Sequence, residues 1–104
     1  MLDGVKFDGE KPKWDLVPWD GMEPVARVLT LGARKYSPDN WRKVPDGRTR
    51  YLAAAFRHLV AHARGEVLDP ESKEPHLAHC VCCLLFILAW PGQSRELIKP
   101  GRRP

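Results

Sequence analysis

The sequence predicts an all-α fold, a small helical bundle with three main helices, an extended N-terminal arm and a mobile basic C-terminal tail. Three segments repeat apolar residues at helical spacing, and each is bounded by Pro, Gly, Asp or Asn. No stretch alternates apolar and polar residues long enough to make a strand, and no internal repeat appears. At 104 residues and 43% hydrophobic, the chain is expected to form one domain with a modest core. That domain is assigned to residues 1–92 and the flexible tail to 93–104.

Residues 1–18 carry Gly4, Gly9, Pro12 and Pro18 without a sustained period, so they read as an arm anchored by Trp14, Leu16 and Val17. The first helix is predicted over 20–34. Met22, Val25, Ala26, Val28, Leu29 and Leu31 recur at helical spacing. Asp20 can cap it, Pro24 suits a first turn, and Gly32, Arg34 and Lys35 suit its end. The loop KYSPDNWRKVPDGR follows, rich in turn formers. The second helix is predicted over 49–64, capped by Thr49 and stopped by Gly65, with Leu52, Phe56, Leu59, Val60 and Ala63 as its apolar stripe. The third runs over 75–90, with Pro75 in its first turn and Pro91-Gly92 ending it.

The net charge is +4 with His neutral. The segment RELIKPGRRP holds much of that excess, so the rest is close to neutral and no stable nucleic-acid complex is expected. The three cysteines, Cys80, Cys82 and Cys83, crowd one apolar helix and read as buried reduced thiols, not a disulfide framework. The N-terminus is polar, and the apolar run from Cys80 to Trp90 is about half a membrane span. A cytoplasmic protein without membrane association is the expectation.

The four histidines fall in two helix-spaced pairs, His58 with His62 and His76 with His79. Each pair shares a helix face. Between the pairs lie Glu66, Asp69 and Glu71. Neutral imidazoles and carboxylates are the ligands that divalent cations take from proteins, and helix-borne pairs point them at a common centre. Surface histidines and a solvated acidic loop would show the same residues. A Cys83–His79 nucleophile pair is disfavoured because a reactive thiolate needs an exposed, electropositive setting. Lys35, Arg42, Arg50 and Arg57 suit a phosphate chain, and Asn40 suits a base edge. Tyr36 and Trp41 offer rings for stacking, although Trp41 packed under the loop fits equally well.

The ordered motifs GEKP, LGARKYSPDNWRK, RYLAAAFRHLVAHARGE and LDPESKEPHLAHCVCCLLFIL resemble the phage-associated dATP/dGTP diphosphohydrolase N-terminal domain family over residues 6–90. That family is more distantly similar to the all-α nucleotide pyrophosphohydrolases of the MazG and HisE kind. The resemblance implies a metal-dependent enzyme that splits a purine deoxynucleoside triphosphate into monophosphate and pyrophosphate. It also implies Mg²⁺ or Mn²⁺ as cofactor, a homo-oligomer of at least two copies, and the bacterial host cytoplasm as location. It picks out His58, Glu66, Asp69, Glu71, His76 and His79 for the metal, and Lys35, Tyr36, Asn40, Trp41 and Arg42 for the substrate. In this reading Glu66 accepts the water's proton, while Lys35, Arg42 and Arg57 neutralise the leaving group. The E-x-x-E helix motif of the distant relatives is absent, and H-L-A-H stands in its place. Two other classes remain open: a nucleotide-sequestering protein without turnover, and a small DNA-associated protein supported by the basic tail.

Overall fold

The computed structural model describes residues 3–90. The basic tail, and with it the DNA-associated reading, lies outside the described residues. Three helices form: α1 over Trp19–Lys35, α2 over Gly47–Ala63 and α3 over His76–Leu88. Short 3-10 turns occupy Trp14–Leu16 and Asn40–Lys43. No strand occurs among the described residues, and Leu68 and Pro75 make one isolated antiparallel bridge. Among the described residues no helix is long and apolar enough to cross a membrane.

The first two helices start earlier than their capping residues suggested, and α3 starts one residue late, with Pro75 as its N-cap. α1 begins at Trp19, where the carbonyl of Pro18 accepts the N–H groups of Gly21 and Met22. Asp20 therefore sits inside the first turn as a charge against the dipole, with no capping bond. Pro24 lies further in, where its missing N–H leaves the Asp20 carbonyl without its helical donor. α2 starts at Gly47 behind the left-handed Asp46 (φ 58), so Thr49 caps nothing. Its far end follows expectation. Gly65, at φ 101, donates to the His62 carbonyl, and Glu66 donates to that of Ala61, which is the double closure of a Schellman end. α3 stops at Leu88, short of Trp90.

α3 is the central element, apolar nearly all round, and its neighbours cover it from two sides. Ala78 and Cys82 pack on Val25 of α1, with Met22, Val28, Val81, Leu85 and Phe86 around them. Cys80 and Cys83 pack on Ala55 of α2, beside Tyr51 and Ala54. The Cys82 thiol donates to the Val25 carbonyl at 3.4 Å. α2 and α3 run antiparallel, since Tyr51 meets Phe86 at one end and His58 meets His76 at the other.

Two expected contacts are not made. The arm does not anchor through Trp14 or Leu16, which are 70% and 74% exposed; only Val17 of the three is half-buried. The expected stripe of α2 faces out as well: Leu52, Phe56, Leu59 and Val60 are between 44% and 58% exposed. The face against α3 is Gly47, Tyr51, Ala54, Ala55 and His58. Those positions are offset by one residue from the predicted stripe, a rotation of roughly 100°. Small side chains win this face because they let two helices approach closely.

Trp90 returns over the start of α2 so tightly that a Cβ added at Gly47 would overlap its ring. Gly47→Ala should therefore cost about 1–3 kcal/mol through displacement of that ring. Urea denaturation of the single variant and of Gly47→Ala/Trp90→Leu checks this, and the second change should recover most of the loss.

Candidate functional site

The connection between α2 and α3 is a short, heavily bonded turn. His76 N–H donates to the Val67 carbonyl and Asp69 N–H to the Glu74 carbonyl, both at 2.8 Å. The Asp69 carboxylate accepts the N–H groups of Glu71 (2.8 Å) and Ser72 (2.9 Å), an Asx turn that fixes its orientation. Burial acts to raise the Asp69 carboxyl, but these two backbone donors, with His79 and His58, outweigh it and hold the group below its ordinary value.

Three histidines gather against this turn. The Nδ1 atoms of His58 and His76 are 2.8 Å apart, and His76 Nε2 lies 2.7 Å from a Glu66 oxygen. A carboxylate only accepts, so His76 donates from Nε2, and the neutral ring so held has its lone pair at Nδ1, facing His58. His79 stacks on His58 with ring centres 4.5 Å apart and planes 10° off parallel, and its Nε2 meets the Ser72 hydroxyl at 2.7 Å. Burial lowers the His58 basicity, and the neighbouring His79 and His76 lower it further. Burial likewise lowers that of His79, against the pull of Asp69. Both shifts favour the neutral ring, the form that offers a lone pair.

Ligand atoms of His58, Asp69 and His76 all lie within 4.8 Å of one another. Two imidazoles and a carboxylate form a donor set for a divalent transition metal. Loading it requires His58 to carry its proton on Nε2, so that both Nδ1 lone pairs converge. Glu66 then has the place that a carboxylate commonly takes behind a ligating histidine.

The other residues expected at the metal sit differently. Glu66 faces His76 and does not line the cleft described below. Glu71 is turned outward by the Asx turn, 86% exposed, and pairs with Lys35 at 3.8 Å. His79 is held by Ser72 and the stack. His62, one turn beyond His58, has an enclosed Nδ1 with no hydrogen-bond partner among the described residues. Ser72 was missed by sequence reasoning, which had no signal for it: a serine in a polar turn is unremarkable until the turn folds it towards a histidine.

A cleft of about 910 Å³ opens between α1 and α2, over α3. Lys35, Tyr36, Asn40 and Trp41 line it together with His58, Glu71, Ser72 and His79, so these four expected substrate residues share one space with two of the histidines. Val28, Leu29, Cys82 and Phe86 supply apolar lining. Trp41 is already stacked on Phe86, 4.7 Å between centres and 13° off parallel, which favours its packing role. Arg42 lines no cavity described for this molecule. Its guanidinium lies 4.4 Å over the Trp41 ring and bonds Asp39 at 3.3 Å, because the 3-10 turn sends neighbouring side chains in different directions. Arg57 lines a second cavity, of about 550 Å³, which shares Tyr36, Asn40, Tyr51 and Ala54 with the cleft.

Burial pushes the Cys82 thiol up to about 12 and the Cys83 thiol up to about 11. A thiolate nucleophile at Cys83 is thus opposed by its surroundings. Both thiols should stay unmodified by a disulfide reagent at pH 8 in the folded protein and react fully once it is unfolded in guanidinium; time-resolved labelling measures this.

The family model described as dATP/dGTP diphosphohydrolase, N-terminal, matches residues 2–99. A protein of Salmonella phage PMBT28 named dATP/dGTP diphosphohydrolase is 35% identical over 86 residues. The alignment covers 83% of this chain and 29% of that relative, so the chain spans less than a third of its length. No solved structure matches the chain. With the match running over almost the whole sequence, the chain belongs to the dATP/dGTP diphosphohydrolase N-terminal family.

Proposed function

We propose that this domain acts on nucleotides as a metal-dependent pyrophosphohydrolase, converting a purine deoxynucleoside triphosphate to its monophosphate and pyrophosphate. The observation that carries this is the shared cleft: a nucleotide-sized, partly apolar space with Lys35, Tyr36 and Asn40 on one wall and His58 and His79 on another. The name of the phage relative points the same way.

In this reading His58, Asp69 and His76 hold the divalent ion, with two imidazoles favouring Mn²⁺ over Mg²⁺. Such an ion, when bound, supplies charge neutralisation at phosphate and lowers the pKa of water. The chain's own groups do the rest. Glu66 keeps the His76 proton on Nε2 and is a positioning residue, not the base. The Ser72 hydroxyl, which also accepts the Glu74 N–H at 3.1 Å, can donate to His79 and hold that ring at the cleft wall. Lys35, released from its exposed pairing with Glu71, offers a cation to the phosphate chain, and the Asn40 amide offers a donor and an acceptor to the base edge. The apolar lining excludes water around the base.

A screen of nucleoside triphosphates with Mg²⁺ and Mn²⁺, resolving pyrophosphate from phosphate release, should show pyrophosphate from dATP or dGTP. Calorimetric Mn²⁺ titration separates the residue roles. His76→Ala should abolish binding, Glu66→Gln should weaken it about 10–100-fold, and Glu71→Ala should leave it unchanged. Mn²⁺ affinity preserved in folded His76→Ala protein would remove the metal site from this proposal.

The domain is also proposed to pair with a second copy through the outward face of α2. Leu52, Phe56, Leu59, Val60 and Ala63 repeat at helical spacing there, while the buried apolar residues among those described are Val25, two alanines and three cysteines. A helix stripe is readily self-complementary across a two-fold axis, the commonest symmetry of soluble oligomers. Light scattering should give a dimer mass for the native chain and a monomer mass for Phe56→Glu; a monomeric native chain would refute the pairing.

A further inference from the structure

The second cavity has a charge imbalance that the function proposed above leaves unused. Lys43, Arg50 and Arg57 line it, and no carboxylate does. Arg50 and Arg57 are seven residues apart on α2, two turns along one face, and Lys43 comes from the facing 3-10 turn. Arg50 donates to the Pro45 carbonyl at 3.3 Å. Neither Arg57 nor Lys43 makes an ion pair or a side-chain hydrogen bond among the described residues. This contrasts with Arg27, which bonds both Glu74 and Glu23, and with Arg42, which bonds Asp39. Three cations around one cavity that has no carboxylate in its lining set up a local positive potential that favours an anion.

We infer that this cavity is a diphosphate-binding subsite, formed by Lys43, Arg50 and Arg57, that takes inorganic pyrophosphate or the terminal two phosphates of a nucleoside triphosphate. Guanidinium forks grip phosphate oxygens in pairs, and the two-turn spacing of the arginines spreads donors over about 10 Å, the reach of a chain and not of a single phosphate. The cavity shares Tyr36, Asn40 and Tyr51 with the cleft, so the two spaces are neighbours. Assigning the anion to the nucleotide's leaving portion rests on the hydrolase reading. The preference for a diphosphate does not.

Titration calorimetry of sodium pyrophosphate in buffer containing EDTA tests the subsite on the full chain without any metal. Saturable binding is expected, weakened at least tenfold in Arg50→Ala, partly kept in Arg50→Lys and unchanged in Arg64→Ala, whose charge lies outside both cavities. Arg50 is exposed, and circular dichroism would verify that its variants fold. No saturable binding, equal binding by Arg50→Ala, or an equal loss in Arg64→Ala would each overturn the inference. Arg50-dependent pyrophosphate binding in a protein that hydrolyses no nucleotide would uphold the subsite while removing the hydrolase reading. If hydrolysis is found, Arg50→Ala should raise KM for the triphosphate and leave the affinity for the monophosphate unaltered; an unchanged KM would overturn the subsite.

Discussion

The distance between α2 and α3 is set by small groups, Ala54 and Ala55 against Cys80 and Cys83, with Gly47 under the Trp90 ring at the far end. Larger residues on that seam would push the helices apart, and the consequences would be felt at the histidines. The Nδ1 atoms of His58 and His76 meet at 2.8 Å only because their backbones are held this close. The aromatic cluster of Trp41, Tyr51, Phe86 and Trp90 clamps the opposite end and supports the floor of the cleft. Packing and chemistry share one seam here, so the thiols are best regarded as spacers whose small volume matters more than their sulfur.

Helix existence was legible in the sequence, and helix orientation was not. All three periodic segments are helical, with ends displaced by a few residues where Pro18 and Asp46 take over from Asp20 and Thr49. The rotation of α2 was misread for a physical reason. A wheel weighted by apolar size points towards Leu52, Phe56 and Leu59, whereas close approach rewards Ala54, Ala55 and Gly47. The large residues are left on the outside, where a second surface has to cover them or they stay wet.

The candidate site was legible where spacing is helical and obscure where it is not. Pairs such as His76 and His79 declare a common face from their numbers alone. Glu66, Asp69 and Glu71 do not, because an Asx turn obeys hydrogen bonding and not period. It turns Asp69 in, Glu71 out, and leaves Glu66 to reach His76 from the end of α2. The same limit applies to Arg42 and Lys43, adjacent in one 3-10 turn but committed to different surroundings. The family resemblance named these residues as a group without distinguishing which of them touch.

The tight turn between α2 and α3 also bears on how the chain reaches this arrangement. Bringing His58 to His76 closes a separation of 18 residues, whereas seating Val25 on Cys82 closes one of 57. On chain-entropy grounds the longer closure costs about 1 kcal/mol more. By that argument the imidazole end is expected to close first, and α1 to arrive over a longer search. Since α1 supplies one wall of the cleft, the order of assembly is ligand cluster first, enclosure second. During synthesis, then, the histidines have gathered only after nearly the whole domain has been made, and the wall waiting longest for its partner is the one translated earliest.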